Sequence, residues 1–147
     1  MNKFITIALV FSVLCFGIAS ADIWSYCTGN INPTFNINTL TLTPDPPKIG
    51  QVATVNLQGT LTEEITSGSS VFSIEYFVAG AWRALPDFDN DVCSVVTCPV
   101  QTGPFTFSTQ INIPFITPRG NYRGQLIMND QTGRNITCLT FATTLNP

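Results

Sequence analysis

Four cysteines carry most of the chemistry available to this chain. Cys93 and Cys98 stand close together in Cys93-Ser-Val-Val-Thr-Cys98-Pro99, while Cys27 and Cys138 lie near the two ends of the sequence that follows residue 21. Histidine is absent, so serine or cysteine nucleophiles activated by an imidazole are excluded. Behind an export signal, an even set of cysteines reads as a disulfide framework. Four cysteines admit three pairings, and sequence does not choose among them. One of these closes a small loop at Cys93–Cys98 and ties the chain ends through Cys27–Cys138.

The acidic residues offer less. Asp87-Phe88-Asp89-Asn90-Asp91 resembles the start of a calcium loop, but its sixth position is Val92 where glycine is needed and its twelfth is Cys98 where glutamate is needed. The run is expected to be a solvated acidic turn, with no metal site. Glu63 and Glu75 could form a glycosidase-like pair, but two carboxylates in a domain are commonplace, and no residue is assigned as catalytic. Asn135-Ile136-Thr137 is a glycosylation sequon, usable if the Asn135 side chain faces water.

Residues 1–21 carry the export signal. Lys3 supplies the positive start, Phe4 to Ile18 the apolar segment, and Ala19-Ser20-Ala21 the small-residue cleavage pattern. The apolar segment is shorter than the roughly 20 residues of a membrane span. Cys15 falls within the removed segment, so the even count stands. Residues 22–147 form the mature chain, 147 less 21 or 126 residues, enough for one domain. Without Lys3 it has five Lys or Arg against nine Asp or Glu, a net charge of −4. So few cations argue against nucleic acid as a partner.

The elements that must position these residues are strands. Apolar residues alternate with polar ones in Thr34–Thr43, Gln51–Leu61, Ser70–Val78, Phe105–Ile113, Tyr122–Met128 and Ile136–Thr143, the period of half-buried strands. Turn residues separate them: Pro44 to Pro47, Ser67-Gly68, Pro118 to Gly120 and Asp130 to Gly133. No convincing helix of ten residues is present, and Ala79–Gly103 lacks clear alternation. Six or seven short strands predict an all-β antiparallel two-sheet sandwich. Alternation places Val55, Leu57, Phe72, Ile74, Tyr76, Phe105, Phe107, Ile111, Leu126, Met128 and Phe141 on inward faces. Such residues fill a core or, if the sheets splay, line a dry cavity. Phe115 follows Ile113-Pro114, where proline ends a central ladder. It is expected at the rim rather than in the core, with Arg119 and Arg123 nearby to attract anionic headgroups.

From Trp24 to Phe141 the chain resembles the ML lipid-recognition domain family, most of all its phosphatidylglycerol/phosphatidylinositol transfer proteins. It is also similar to the Niemann–Pick type C cholesterol carriers. The resemblance is carried in order by Trp24-Ser-Tyr-Cys27, Leu40-Thr-Leu-Thr-Pro-Asp-Pro-Pro47 with Gly50, Leu57-Gln-Gly-Thr60, Asp91-Val-Cys93, Cys98-Pro-Val-Gln-Thr-Gly103, Ile113-Pro114, Pro118-Arg-Gly-Asn-Tyr122 and Ile136-Thr-Cys138. It implies an immunoglobulin-like sandwich with a lipid cavity between the sheets, and the bridges Cys27–Cys138 and Cys93–Cys98. It further implies a monomer, secreted or lumenal in endosomes or lysosomes, that touches membranes transiently and needs no cofactor. The cargo would be a phospholipid or a sterol. The sterol carriers have a third, early bridge that this chain lacks around Asn36–Pro44, which argues against sterol. The cavity mouth would fall at Leu85 and Pro86 and at Phe115–Pro118. The carriers have an aromatic residue near Thr117, so the mouth here is expected to be more open or more polar. The alternatives to a lipid carrier are an immunoglobulin-like interaction module with a filled core and a carboxylate hydrolase.

Overall fold

The computed structural model describes residues 22–29 and 32–147; the export signal predicted for residues 1–21 lies outside them. Among the described residues nine strands follow one another as β1 (Trp24–Tyr26), β2 (Phe35–Thr43), β3 (Val52–Leu61), β4 (Gly68–Val78), β5 (Ala81–Ala84), β6 (Phe88–Asp91), β7 (Gly103–Asn112), β8 (Gly120–Asp130) and β9 (Asn135–Leu145). One helical turn, α1 (Val92–Val95), interrupts them after β6. All the strands pair antiparallel, in two sheets. The larger runs β1-β9-β8-β4, and the outer edge of β4 is shared by β6 along its first half and β5 along its second. The smaller runs β2-β3-β7. Pro104 sits in β7, an edge strand, where a missing N–H costs no ladder bond.

The six long strands coincide with the alternating segments. The three short ones do not, because three or four residues are too few to show a period. The acidic run expected as a solvated turn is mostly strand: Phe88–Asp91 pairs with Ser69–Phe72. The free edge of β4 offers these residues ladder hydrogen bonds, and the Phe88 ring lies 6.3 Å from that of Phe72. Asp91 then caps α1, its carboxylate accepting from the Cys93 N–H at 2.7 Å. That is the common N-cap use of aspartate. Glu63 and Glu75 each meet a different arginine, Arg134 and Arg123 respectively.

Register decides which side chains share a face. In the larger sheet Trp24, Phe141, Gly124 and Ile74 form one row, Tyr26, Leu139, Leu126 and Phe72 the next, and Thr143, Tyr122 and Tyr76 a third. In the smaller sheet Leu40, Leu57 and Phe107 form one row and Leu42, Val55 and Thr109 another. A Cβ on Gly124 would collide with the Phe141 ring and the Ser73 carbonyl, and one on Gly59 with the Phe35 ring and the Asn36 carbonyl. Each glycine therefore makes room for an aromatic ring laid across its strand.

The main buried cluster sits at one end of the sandwich. Phe35, Leu61, Ile65, Val92, Val100 and Ile136 are buried together, with Met128, Leu57 and Phe105 packed against them. The Phe35 and Phe105 rings meet edge to face at 6.0 Å. Above them Ile65 and Val100 exchange backbone hydrogen bonds of 3.0 and 2.9 Å, and the Cys93–Cys98 bridge closes the loop after α1. The Cys27–Cys138 bridge joins the end of β1 to β9, and Gln125 donates to Cys27 Sγ at 3.1 Å. Two disulfides suit an oxidising, extracellular or lumenal setting.

The β8–β9 turn is organised by the buried Asp130. Its Oδ1 accepts from the Thr132 N–H at 2.8 Å, the Thr132 hydroxyl at 2.7 Å and the Arg134 N–H at 3.0 Å, while Oδ2 accepts from Arg134 Nε at 3.2 Å. Burial opposes the carboxylate charge, but the hydrogen bonds from Thr132 and Arg134 and the Arg134 charge overcome it. The pKa therefore lies below the usual aspartate value. A lowered native pKa gives stability that is present above the unfolded pKa and lost as pH falls through the native one. Asp130→Ala should cost about 2–3 kcal/mol at neutral pH. In urea titrations the gap from the parent should shrink below the ordinary carboxylate range; a pH-independent gap would refute the assignment.

Asn135, the sequon residue, is held inside the same corner. Its Nδ2 donates to the carbonyls of Met128 and Thr137, both at 3.2 Å, and its Oδ1 is buried. A glycan on Nδ2 would displace those bonds. Folded protein recovered from a glycosylating host is expected to carry no sugar at Asn135. Intact mass with and without glycosidase checks this, and a shift on treatment would contradict it.

Candidate functional site

Beyond the buried cluster, Leu139, Tyr122 and Ala53 are buried on the inward faces, but most of their neighbours there are not. Val55, Leu57, Phe72, Ile74, Tyr76, Phe105, Phe107, Leu126, Met128 and Phe141 are all half-buried. They share faces as alternation predicts. In a filled sandwich such side chains interdigitate and lose contact with water. Phe88 faces inward beside Phe72 yet is 53% exposed, and Ile111, paired with Ala53, is 46% exposed. Both lie on edge strands, β6 and β7. On the opposite side the sheets are tied where β2 meets β9. Thr34 N donates to the Asn135 carbonyl at 3.0 Å there, and Ile37 N to the Tyr26 hydroxyl at 2.8 Å. The interior is thus closed on the β2 side, and apolar residues are left open to water on the β7 and β5–β6 side.

Several inward residues have no clear signal in the sequence. Trp24 and Tyr26 lie on a three-residue strand, and Phe88 is hidden in the acidic run. Leu40 and Leu42 do alternate visibly and belong with the set. Leu85, in the link from β5 to β6, donates its N–H to the Ile74 carbonyl at 2.9 Å and is 40% exposed. Arg123 is not available to a headgroup. It points to the outer face, is ion-paired with Glu75, and lies 4.3 Å from the centre of the Trp82 ring. Two surface grooves, of about 570 and 620 Å³, involve few of these residues. The first shares Trp24 and Phe141 with the set, and outward polar groups such as Ser73, Gln125 and Thr140 also line it.

The loop between β7 and β8 carries the most exposed apolar residues, Phe115 at 84% and Ile116 at 76%. It is firmly held. Gly50 N donates to the Ile113 carbonyl at 2.8 Å, Ile113 N to Gln51 at 3.1 Å, and Thr117 N to Pro114 at 3.0 Å. The Tyr122 hydroxyl donates to the Pro118 carbonyl at 2.8 Å and the Tyr76 hydroxyl to the Arg119 carbonyl at 3.2 Å. The two rings stack 4.8 Å apart. Burial, with Tyr76 alongside, raises the Tyr122 pKa, so its hydroxyl keeps the proton it donates. Gly50, at φ 77°, runs past Phe115 where a side chain would be strained.

Residues 21–145 match the sequence profile of the ML domain. The chain belongs to the ML domain family. A Dictyostelium discoideum protein with the provisional name of a phosphatidylglycerol/phosphatidylinositol transfer protein is 59% identical to it over 128 residues, covering 87% of this chain and 88% of that one. The phosphatidylglycerol/phosphatidylinositol transfer protein of Emericella nidulans is 28% identical over 116 residues, covering 78% and 69%. Among solved structures, a Niemann–Pick type C2 protein from the Japanese carpenter ant superposes with a TM-score of 0.60 at 12% identity, covering 84% of this chain and 98% of that one. Chicken MD-1 complexed with lipid IVa gives 0.55 at 12% identity, covering 82% and 86%. These likenesses establish an immunoglobulin-like sandwich for this ML domain.

Proposed function

We propose that this ML domain binds one phospholipid with its acyl chains between the two sheets and carries it between membranes. The supporting observation is the set of inward aromatic and aliphatic side chains that stay open to water along the β7 and β5–β6 edges. Acyl chains placed there bury surface that the two sheets leave exposed, at about 0.8 kcal/mol per methylene. A carrier needs no bond-making chemistry. Phospholipid is favoured over sterol by the names of the relatives. Phe115 and Ile116 would enter the acyl region of a bilayer while the lipid crosses.

Native mass spectrometry of detergent-free protein should show one bound phospholipid. The same protein should move fluorescent phosphatidylglycerol or phosphatidylinositol between vesicles. Protein that carries no lipid and moves none would leave an interaction module as the reading.

A further inference from the structure

β5 breaks its own pattern at the mouth. Cross-strand pairing with Tyr76 puts Arg83 on the inward face, in the row of Tyr76 and Tyr122, where neighbouring rows hold Ile74 and Phe72. An arginine on an inward face among mostly aromatic and aliphatic neighbours is a candidate functional position. Arg83 is exposed and makes no ion pair among the described residues, whereas Arg123 and Arg134 are paired. Arg119 is also exposed and without an ion pair, and its carbonyl is bonded to the Tyr76 hydroxyl. Two arginines therefore adjoin Tyr76, Arg83 by cross-strand pairing from the β5 edge and Arg119 through its backbone carbonyl from the β7–β8 loop.

We infer that Arg83, assisted by Arg119, binds the phosphodiester of the transferred lipid and so selects phospholipids over lipids without phosphate. The inference rests on the carrier reading above. A guanidinium presents a planar fork that matches two phosphate oxygens. Its place at the rim lets the acyl chains run inward past Ile74 and Phe72 while the headgroup stays in water. An inward charge on an edge strand also guards against edge-to-edge pairing, so the experiment separates the two roles.

Calorimetry with monomeric short-chain phosphatidylglycerol and the matching diacylglycerol, without a bilayer, tests it. Arg83→Gln should weaken phosphatidylglycerol binding about tenfold and leave diacylglycerol binding unchanged. Arg83→Lys should recover part of the loss, and Arg119→Gln should show a smaller one. Equal losses for both lipids, or none, would overturn the inference, and self-association of Arg83→Gln alone would assign the residue to edge protection. Co-sedimentation with phosphatidylglycerol vesicles identifies the source of the phosphate. A loss there without any loss for the monomeric lipid would overturn the inference in favour of membrane headgroups. Parent protein that binds neither lipid would remove the carrier reading itself, which a defect confined to Arg83→Gln would not.

Discussion

Replacing Cys27 and Cys138 together by serine should lower folding stability by about 4–5 kcal/mol, roughly twice the effect of replacing Cys93 and Cys98. The bridges span 111 and 5 residues in sequence, and in the chain-entropy model the denatured state loses more freedom the longer the closed loop. Local structure points the same way. β1 has only three residues and pairs with β9 alone, so little else fixes the chain before β2. Gln125 donates to both sulfurs of the long bridge and would lose those acceptors. The small bridge closes a loop already organised by the Asp91 cap. Urea unfolding of the two double variants beside the parent measures the difference. A greater loss from the Cys93/Cys98 variant would show that native-state contacts, not loop closure, dominate.

Replacing Phe115 and Ile116 together by aspartate should slow lipid transfer between vesicles at least tenfold while leaving the unfolding midpoint almost unchanged. Both side chains are more than three-quarters exposed, so they contribute little to folding, and surface changes usually stay within about 0.5 kcal/mol. Inserting two such side chains into a bilayer is worth about 3 kcal/mol or more, and each 1.4 kcal/mol is a factor of about ten. Aspartate removes that gain and adds repulsion from an anionic surface. The hydrogen bonds from Gly50, Tyr76 and Tyr122 that shape the loop are untouched by the change. Binding of a short-chain lipid without a bilayer should be retained. Unchanged transfer would exclude a membrane role for the loop, and a fall of several kcal/mol in stability would place the side chains in the fold instead.

The sandwich was legible because alternation is a local property. Phe72, Ile74 and Tyr76 must share a face once that stretch is a strand, and likewise Phe105, Phe107 and Ile111. The strand partners were not legible. That β6 runs along β4 depends on an edge which β8 leaves free, and nothing within Asp87–Asp91 announces it. The same pairing turns Phe88 inward and makes Asp91 a helix cap.

The sequence by itself determined an all-β chain with defined inward faces, a family resemblance, and an even set of cysteines behind a predicted export signal. It did not determine whether those faces meet. Burial depends on the spacing of the sheets, which is set by contacts far apart in the chain. At one end Phe35, Leu61, Val92 and Ile136 pack together. Toward the other, the edges formed by β7 and by β5–β6 leave Ile111 and Phe88 open to water. Tertiary structure also separated the arginines: Arg123, close to Phe115 in sequence, is turned outward to Glu75 and Trp82. Arg83, thirty-two residues before Phe115, is brought to the mouth by pairing with Tyr76, because a strand's register, and not its distance along the chain, decides which way its side chains face.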